Sequence, residues 1–410
     1  MTFLTEIREG FGISWDAIRA NKLRSVLTTL GIVIGIVTVT LMGTAIEGLN
    51  RSFLSSISTL GADVFYVQRS SWMMNSESDW HKARKRRPIR VPDVQALAGQ
   101  LTLATAIAPA ADWDSATVKY KNRSASGVWV VGTTEEYLRT SGVSLTEGRF
   151  LSAADAAGGR PVCVIGSEVA TNLFQHGSPL GNRIKVGSQS FEVIGVLEKQ
   201  GSFLGMFSLD NRVIIPLQQF ISSFWTNPDL SIQVKAGELV QLDEAREELR
   251  QVMRRVRHLA PGEPDDFAIN QQDQFVEMFH KVAGTIAVIG VFITSLSLFV
   301  GGIGIMNIMF VSVAERTREI GIRKAIGAKR RTILLQFLTE AGCICVLGGL
   351  IALGIAWPMT LIIQRFLPAT MSLTVAGLAL LVALVTGLVS GFLPAWRAAR
   401  MNPVDALRSE

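Results

Sequence analysis

The sequence predicts a membrane protein: an α-helical bundle of four transmembrane helices carrying an α+β extracytoplasmic domain. Two observations predict it. The 410 residues are 48% hydrophobic and only 18% charged, with a mean hydropathy of +0.33, too apolar for an ordinary soluble chain of this size. Four runs, at 25–48, 282–313, 332–363 and 373–395, are also long and apolar enough to span a hydrocarbon core of ~30 Å, which takes ~20 helical residues. The third run is expected to break near its end at Pro358. The first follows Arg19, Lys22 and Arg24 as a signal peptide would, but its apolar length exceeds an h-region and no small-x-small cleavage site follows, so it reads as an uncleaved helix.

Orientation follows from the basic residues at the helix ends. Besides the three before the first run, Arg316, Arg318, Arg323, Lys324, Lys329, Arg330 and Arg331 fill the link between the second and third, and Arg397, Arg400 and Arg408 follow the fourth. The positive-inside rule puts all three groups, and both termini, in the cytoplasm of a bacterial inner membrane protein. The net charge of +6 is then the signature of membrane loops, and no nucleic-acid partner is expected. Residues 1–24 read as a cytoplasmic helix, with Leu4, Ile7, Phe11, Trp15 and Ile18 at helical spacing, lying in the lipid interface or packed on the bundle or a partner. Residues 49–281 and the loop 364–372 are extracytoplasmic, and 396–410 form a cytoplasmic tail.

The extracytoplasmic stretch reads as a split βαβ, porter-like part (49–112 and 222–281) with an inserted β-rich subdomain (113–221). Val64–Gln68 and Ser231–Lys235 alternate as strands, a helix starts near Pro92, and Leu242–Leu259 is an amphipathic helix before the strand Phe267–Asn270. Within the insertion, 117–120, 128–131, 162–165, 183–186, 191–197 and 213–215 read as strands. The basic run His81–Arg87 reads as a solvated loop, with anionic lipid or an accessory protein as the alternative contact.

Covalent chemistry is not expected of this chain. The sequence contains no G-x-x-x-x-G-K-[ST], H-E-x-x-H or G-x-S-x-G, and His81, His176, His258 and His280 are scattered. Gly327-Ala-Lys-Arg330 lacks the glycine spacing of a phosphate loop. Cys163, Cys343 and Cys345 match neither a zinc site nor a disulfide framework. No metal or cofactor is assigned.

The informative segment spans the end of the second run and the link after it. Gly301, Gly302 and Gly304 let another helix approach closely, as do Gly31 and Gly35, at G-x-x-x-G spacing, in the first. These glycines suit either a dimer interface or packing within one protomer. Residues 314–331 then read as a short cytoplasmic helix: Glu319 sits four residues before Arg323, Ile322, Ala325 and Ile326 form an apolar stripe, and Gly327 suits a left-handed cap. Such a helix, tied at both ends to membrane helices, transmits force from a docked partner; the alternative is a solvated basic loop.

The residues favour the first reading, because Ser312-Val-Ala-Glu-Arg-Thr-Arg-Glu-Ile-Gly-Ile-Arg-Lys-Ala-Ile-Gly-Ala328 resembles the signature of the MacB/FtsX-type (type VII) ABC transporter permeases. Arg24–Gly35, Glu147–Leu151, Val162–Gly166, Pro179–Gly181, Phe191–Val196, Gln336–Ala341 and Pro394–Arg408 are similar to further motifs of that family, in the same order. The resemblance implies a MacB-like periplasmic core domain and a dimeric permease, homomeric or heteromeric. It also implies that Glu315, Arg316, Thr317, Arg318, Glu319, Ile320, Gly321, Ile322, Arg323, Lys324, Ala325 and Gly327 dock on a MacB-like ABC ATPase. That ATPase is expected to be a separate polypeptide binding ATP and Mg, and a periplasmic adaptor, or membrane fusion protein, is a further expected partner. ATP-driven closure would move the extracytoplasmic domains by mechanotransmission, exporting peptides, antibiotics or other envelope substrates. A lipoprotein-releasing or cell-wall-hydrolase-regulating complex is the alternative within the family, and a membrane-anchored sensor without ATP coupling the alternative outside it. Arg316 and Arg323 are expected to face solvent when no partner is bound.

Overall fold

The computed structural model describes residues 22–57, 61–73, 76–175, 177–203, 207–237, 241–365 and 368–408, so the reading of an N-terminal interfacial helix and the position of His176 lie outside the described residues. The chain forms two compact units, one of residues through Ser52 together with Phe279 onward, the other Phe53–Met278. Helix α1 (Lys22–Ile57) leads from the first unit into the second.

The second unit begins with β1 (Val64–Gln68), α2 (Glu77–Lys85), α3 (Val91–Ala98) and β2 (Ala104–Tyr120), and ends with β11 (Ser231–Ala236), α8 (Leu242–Val256) and β12 (Ala268–Asn270). The four strands pair antiparallel in the order β12-β1-β11-β2, the arrangement of a split βαβ fold. Helix α8 carries Asp243 and Glu244 in its first turn and Arg254 and Arg255 in its last, complementing its dipole. Its inner face buries Leu249, Val252 and Met253 in the core that also holds Leu97 of α3 and Phe65, Val67, Ile232 and Val234 of the sheet.

Between these halves lie β3 (Arg123–Thr133), α4 (Tyr137–Thr140), β4 (Leu145–Gly148), α5 (Ala153–Gly158), β5 (Val162–Ile165), α6 (Ser167–Leu173), β6 (Arg183–Val186) and β7 (Gln189–Leu197). The hairpin β8 (Ser202–Phe203) and β9 (Phe207–Ser208), then β10 (Arg212–Pro216) and α7 (Leu217–Ser223), complete them. From β2 the pairing runs through β3, β10, β5 and β7 to β6, which pairs back onto Val118 and Lys119 of β2 and so closes a small barrel. The boundaries drawn at 113 and 222 fall inside β2 and α7. Strand β2 is 17 residues long: Ala104–Ala110 pairs with β11, and Ala116–Tyr120 belongs to the barrel. Both parts share one core, in which Val118, Val128, Cys163, Ile184, Phe191 and Val213 are buried with Phe65 and Leu97. Burial also pushes the Cys163 thiol up, away from reactivity.

The basic run differs from its sequence reading. Most of it is helical, because Ser76 caps Asp79 N, Glu77 and Asp79 occupy the first turn of α2, and Lys82, Arg84 and Lys85 the last. The run is then pinned: Arg86 donates to the Arg69 carbonyl at 2.8 Å, and Arg257 donates to the carbonyls of Arg87 and, at 3.1 Å, Pro88.

In the first unit, α9 (Gln272–Glu315) enters from the second, followed by α10 (Thr317–Ala325), α11 (Arg330–Ile363), α12 (Leu373–Arg400) and α13 (Pro403–Arg408). Among the described residues four helices, α1, α9, α11 and α12, are long and apolar enough to cross a membrane. Their outward side chains, such as Phe292, Phe299, Leu361 and Val389, are exposed, as lipid-facing residues must be. Pro358 does not end the third run but is carried inside α11, with helix on both sides up to Ile363, as membrane helices packed against neighbours tolerate.

Asp155 anchors the barrel's rim. Its buried carboxylate accepts from Arg149 at 2.6 Å and from Ser152 Oγ at 2.7 Å and N at 3.1 Å, completing a capping box on α5. The Arg149 hydrogen bond, then those of Ser152, hold its carboxyl well below the usual range. A depressed pKa stabilises the fold fully above the unfolded carboxylate pKa of ~4 and loses that stabilisation as pH falls below it. Asp155→Asn should therefore destabilise the chain in detergent by about 1–2 kcal/mol at pH 7, a discounted value because both arginines are half exposed. The difference from wild type should narrow at pH 3; an equal difference at both pH values in thermal unfolding would assign Asp155 a purely steric role.

Candidate functional site

The segment singled out in the sequence lies at one end of the helix bundle. Helix α9 ends at Glu315, where Arg316, with φ −103° and ψ 15°, turns the chain into α10. Thr317 Oγ1 covers the exit by donating to the carbonyls of Val313 at 3.1 Å and Ala314 at 2.8 Å. Helix α10 ends in a Schellman motif: Ala328 N donates to Arg323 O at 2.9 Å and Gly327 N to Lys324 O at 3.0 Å, with Gly327 at φ 101°, where a side chain would be strained.

Three attachments fix this helix to the bundle. Ile320, 4% exposed, inserts among Met309, Val313, Ile333, Phe337 and Ala398, with Gly321 buried beside it. Lys324 reaches the end of α12 and donates to the carbonyls of Ala399 at 2.8 Å and Met401 at 2.5 Å, groups left without partners inside their own helix. Burial in that socket, then the charge of Arg330, lower the Lys324 pKa. Arg316 pairs with Glu340 of α11 at 3.5 Å, a carboxylate only 4% exposed.

The last contact corrects the expectation for Arg316. Its side chain is 26% exposed and turned onto Glu340, because a buried carboxylate in an apolar helix recruits the nearest cation. Arg323 is exposed, held by Glu319 and by Gln336 Oε1 at 2.6 Å. Glu315, Arg318, Glu319, Ala325 and Gly327 are also exposed. Ile322 and Ile326, at 44% and 82% exposed, stand out as apolar knobs on the same outer face. Sequence patterning does not single out Glu340, although a lone acid in a membrane-length apolar run is the signal that marks it.

The glycines form a contact within one chain. A Cβ on Gly31 would lie 3.0 Å from Gly301 Cα, and one on Gly35 3.2 Å from Leu298, so α1 and α9 touch backbone to backbone. Gly302 faces Ser390 of α12, and Gly304 is half-buried.

The described residues thus form a bundle of four membrane-length helices with a pinned connecting helix, and a unit that contains a closed barrel. Residues 25–252 match the MacB-like periplasmic core domain and residues 291–403 the FtsX-like permease C-terminal domain. The chain therefore belongs to the MacB/FtsX-type family of ABC transporter permeases. It is 34% identical over 409 residues, 99% of its length, to the pyoverdine export ATP-binding/permease protein PvdT of Pseudomonas savastanoi pv. phaseolicola. It is 33% identical over 98% of its length to the macrolide export ATP-binding/permease protein MacB of Neisseria gonorrhoeae. The chain spans 60% and 61% of the length of these relatives. The solved periplasmic region of MacB from Actinobacillus actinomycetemcomitans aligns with 56% of the chain and 98% of its own, at 20% identity and a TM-score of 0.45.

Two outcomes follow from the geometry. Arg316→Ala, which strands the Glu340 carboxylate, should lower stability by about 1–3 kcal/mol, whereas Arg323→Ala, which breaks an exposed pair, should change it by less than about 0.5 kcal/mol; thermal unfolding in detergent separates them. Gly301→Leu should prevent α1 and α9 from closing, and a cysteine cross-link between the two helices should form in wild type and fail in the variant.

Proposed function

We propose that this chain is the non-catalytic transmembrane subunit through which an ABC ATPase drives export across the bacterial envelope. The observation that carries the reading is the construction of α10: three attachments fix its inner face to α11 and α12, while Ile322, Ile326 and Arg318 are presented outward on a helix that closes no core of its own. A helix held this way moves with the bundle when a partner pushes on it. Its basic surroundings favour the cytoplasm, which puts both termini inside and the barrel-containing unit outside the inner membrane.

The chemistry belongs to the partner, which binds ATP and Mg; this chain binds no cofactor and receives the stroke. Helix α9 is 44 residues long, ~66 Å at 1.5 Å per residue, about twice the hydrocarbon thickness. Helix α1, with 36 residues, is also longer than a span requires. One helix thus leads from the α10 turn into the barrel-containing unit, which favours mechanotransmission over passage of substrate through the bundle. The export names of the relatives favour peptides, antibiotics or similar envelope substrates. A second permease copy completes the machine, and the barrel-containing unit offers a periplasmic adaptor its surface.

Co-purification with the ABC ATPase encoded beside this chain tests the reading. Ile326→Asp combined with Arg318→Glu alters only exposed positions, so the protein should fold as before while ATPase retention falls at least tenfold. Replacing Glu315–Ala328 by a neutral linker should abolish retention; undiminished retention in both variants would place docking elsewhere.

A further inference from the structure

A cavity of about 250 Å³ opens in the second unit between α2, the end of β1 and the middle of β2. Its walls are built. Gln68 is fixed by three hydrogen bonds, donating to Ser231 Oγ at 3.1 Å and accepting from Trp72 Nε1 at 2.8 Å and Asn270 Nδ2 at 3.1 Å. Arg69 and Asp229 neutralise one another at 3.1 Å, and Asp229 also accepts from Ile89 N at 2.9 Å. These groups are committed and ask for nothing.

Two other charged groups line it without an ion pair among the described residues. Asp112, exposed on β2 and hydrogen-bonded with Trp129, opens onto the cavity beside two arginines. From α2 the Arg84 guanidinium, also exposed, lies 4.8 Å over the Trp80 ring, with no carboxylate partner among the described residues. An acid and a base thus line one void with no ion pair between them. Helix α2, capped by Ser76, holds Trp80 and Arg84 on one wall, and a strand holds Asp112 on the other, so the separation is set by rigid elements.

We propose that this cavity binds a zwitterion of amino-acid or dipeptide size, its ammonium on Asp112, its carboxylate on Arg84 and its apolar body against Trp80. The void is too small for a large macrocycle and too polar for a lipid chain, while a zwitterion engages both charges at once. The site stands on this unit alone and does not rest on the coupling reading.

Titration calorimetry of the full chain in detergent tests it, with L-alanyl-L-alanine, its N-acetyl form and its C-terminal amide as probes. The free dipeptide should bind, and each capped form should bind on the order of tenfold more weakly, having lost one charge-assisted contact. Asp112→Asn should erase the preference for the free amine and Arg84→Gln the preference for the free carboxylate, each leaving the other preference in place. Absence of binding by the free dipeptide, equal binding of all three probes to wild type, or selectivity unchanged in both variants would overturn the proposal. The capped probes need no variant, so a substitution that misfolds does not shelter it.

Discussion

The helical unit depends on how closely its helices approach. In hydrocarbon no apolar surface gains by leaving water, so helices associate through contact area and dispersion, and small residues set the distance at which that contact begins. Gly31 and Gly301 bring α1 and α9 together with no side chain between them, Gly387 receives Cys345, and Gly391 receives Ala341. Ile32 and Ile36 lie buried beside the first of these contacts, and Leu298 and Ile305 beside its other half. A bundle closed by backbone contact leaves little slack between its helices.

The end of the bundle uses a different physics. There Arg316, Ile320 and Lys324 hold α10 by an ion pair, an apolar plug and two hydrogen bonds to terminal carbonyls. Each alone would let the helix pivot, and together they fix it at both ends and its middle. The exposed Glu319 and Arg323 pair, screened by solvent, adds little to that hold.

Much of this was legible in the sequence because the constraints are local or global, and the missed parts are neither. The four spans follow from length and apolarity, since backbone polar groups in lipid are satisfied within a helix. The cap at Gly327 follows from one residue's conformational freedom, strand 64–68 from its β-branched and aromatic residues, and strand 231–235 from alternation. The pairing of Arg316 with Glu340 was not legible, because no spacing rule links residues 24 positions apart. Nor was the helicity of the basic run, where seven successive positions hold six basic residues and hide the modest signal of Ser76 and Asp79. The barrel's closure depends on β6 meeting β2 across more than sixty residues, a contact that only the assembled sheet defines.

Strand β2 carries a consequence for how this protein can be taken apart. Its first half is an inner strand of the split βαβ sheet and its second half a stave of the barrel. A cut anywhere along it leaves two raw edges of unpaired amides and carbonyls, which would recruit strands from other molecules. Dissected pieces should therefore precipitate even though each retains an apolar face, and the smallest portion that can be handled in water is the whole of Phe53–Met278.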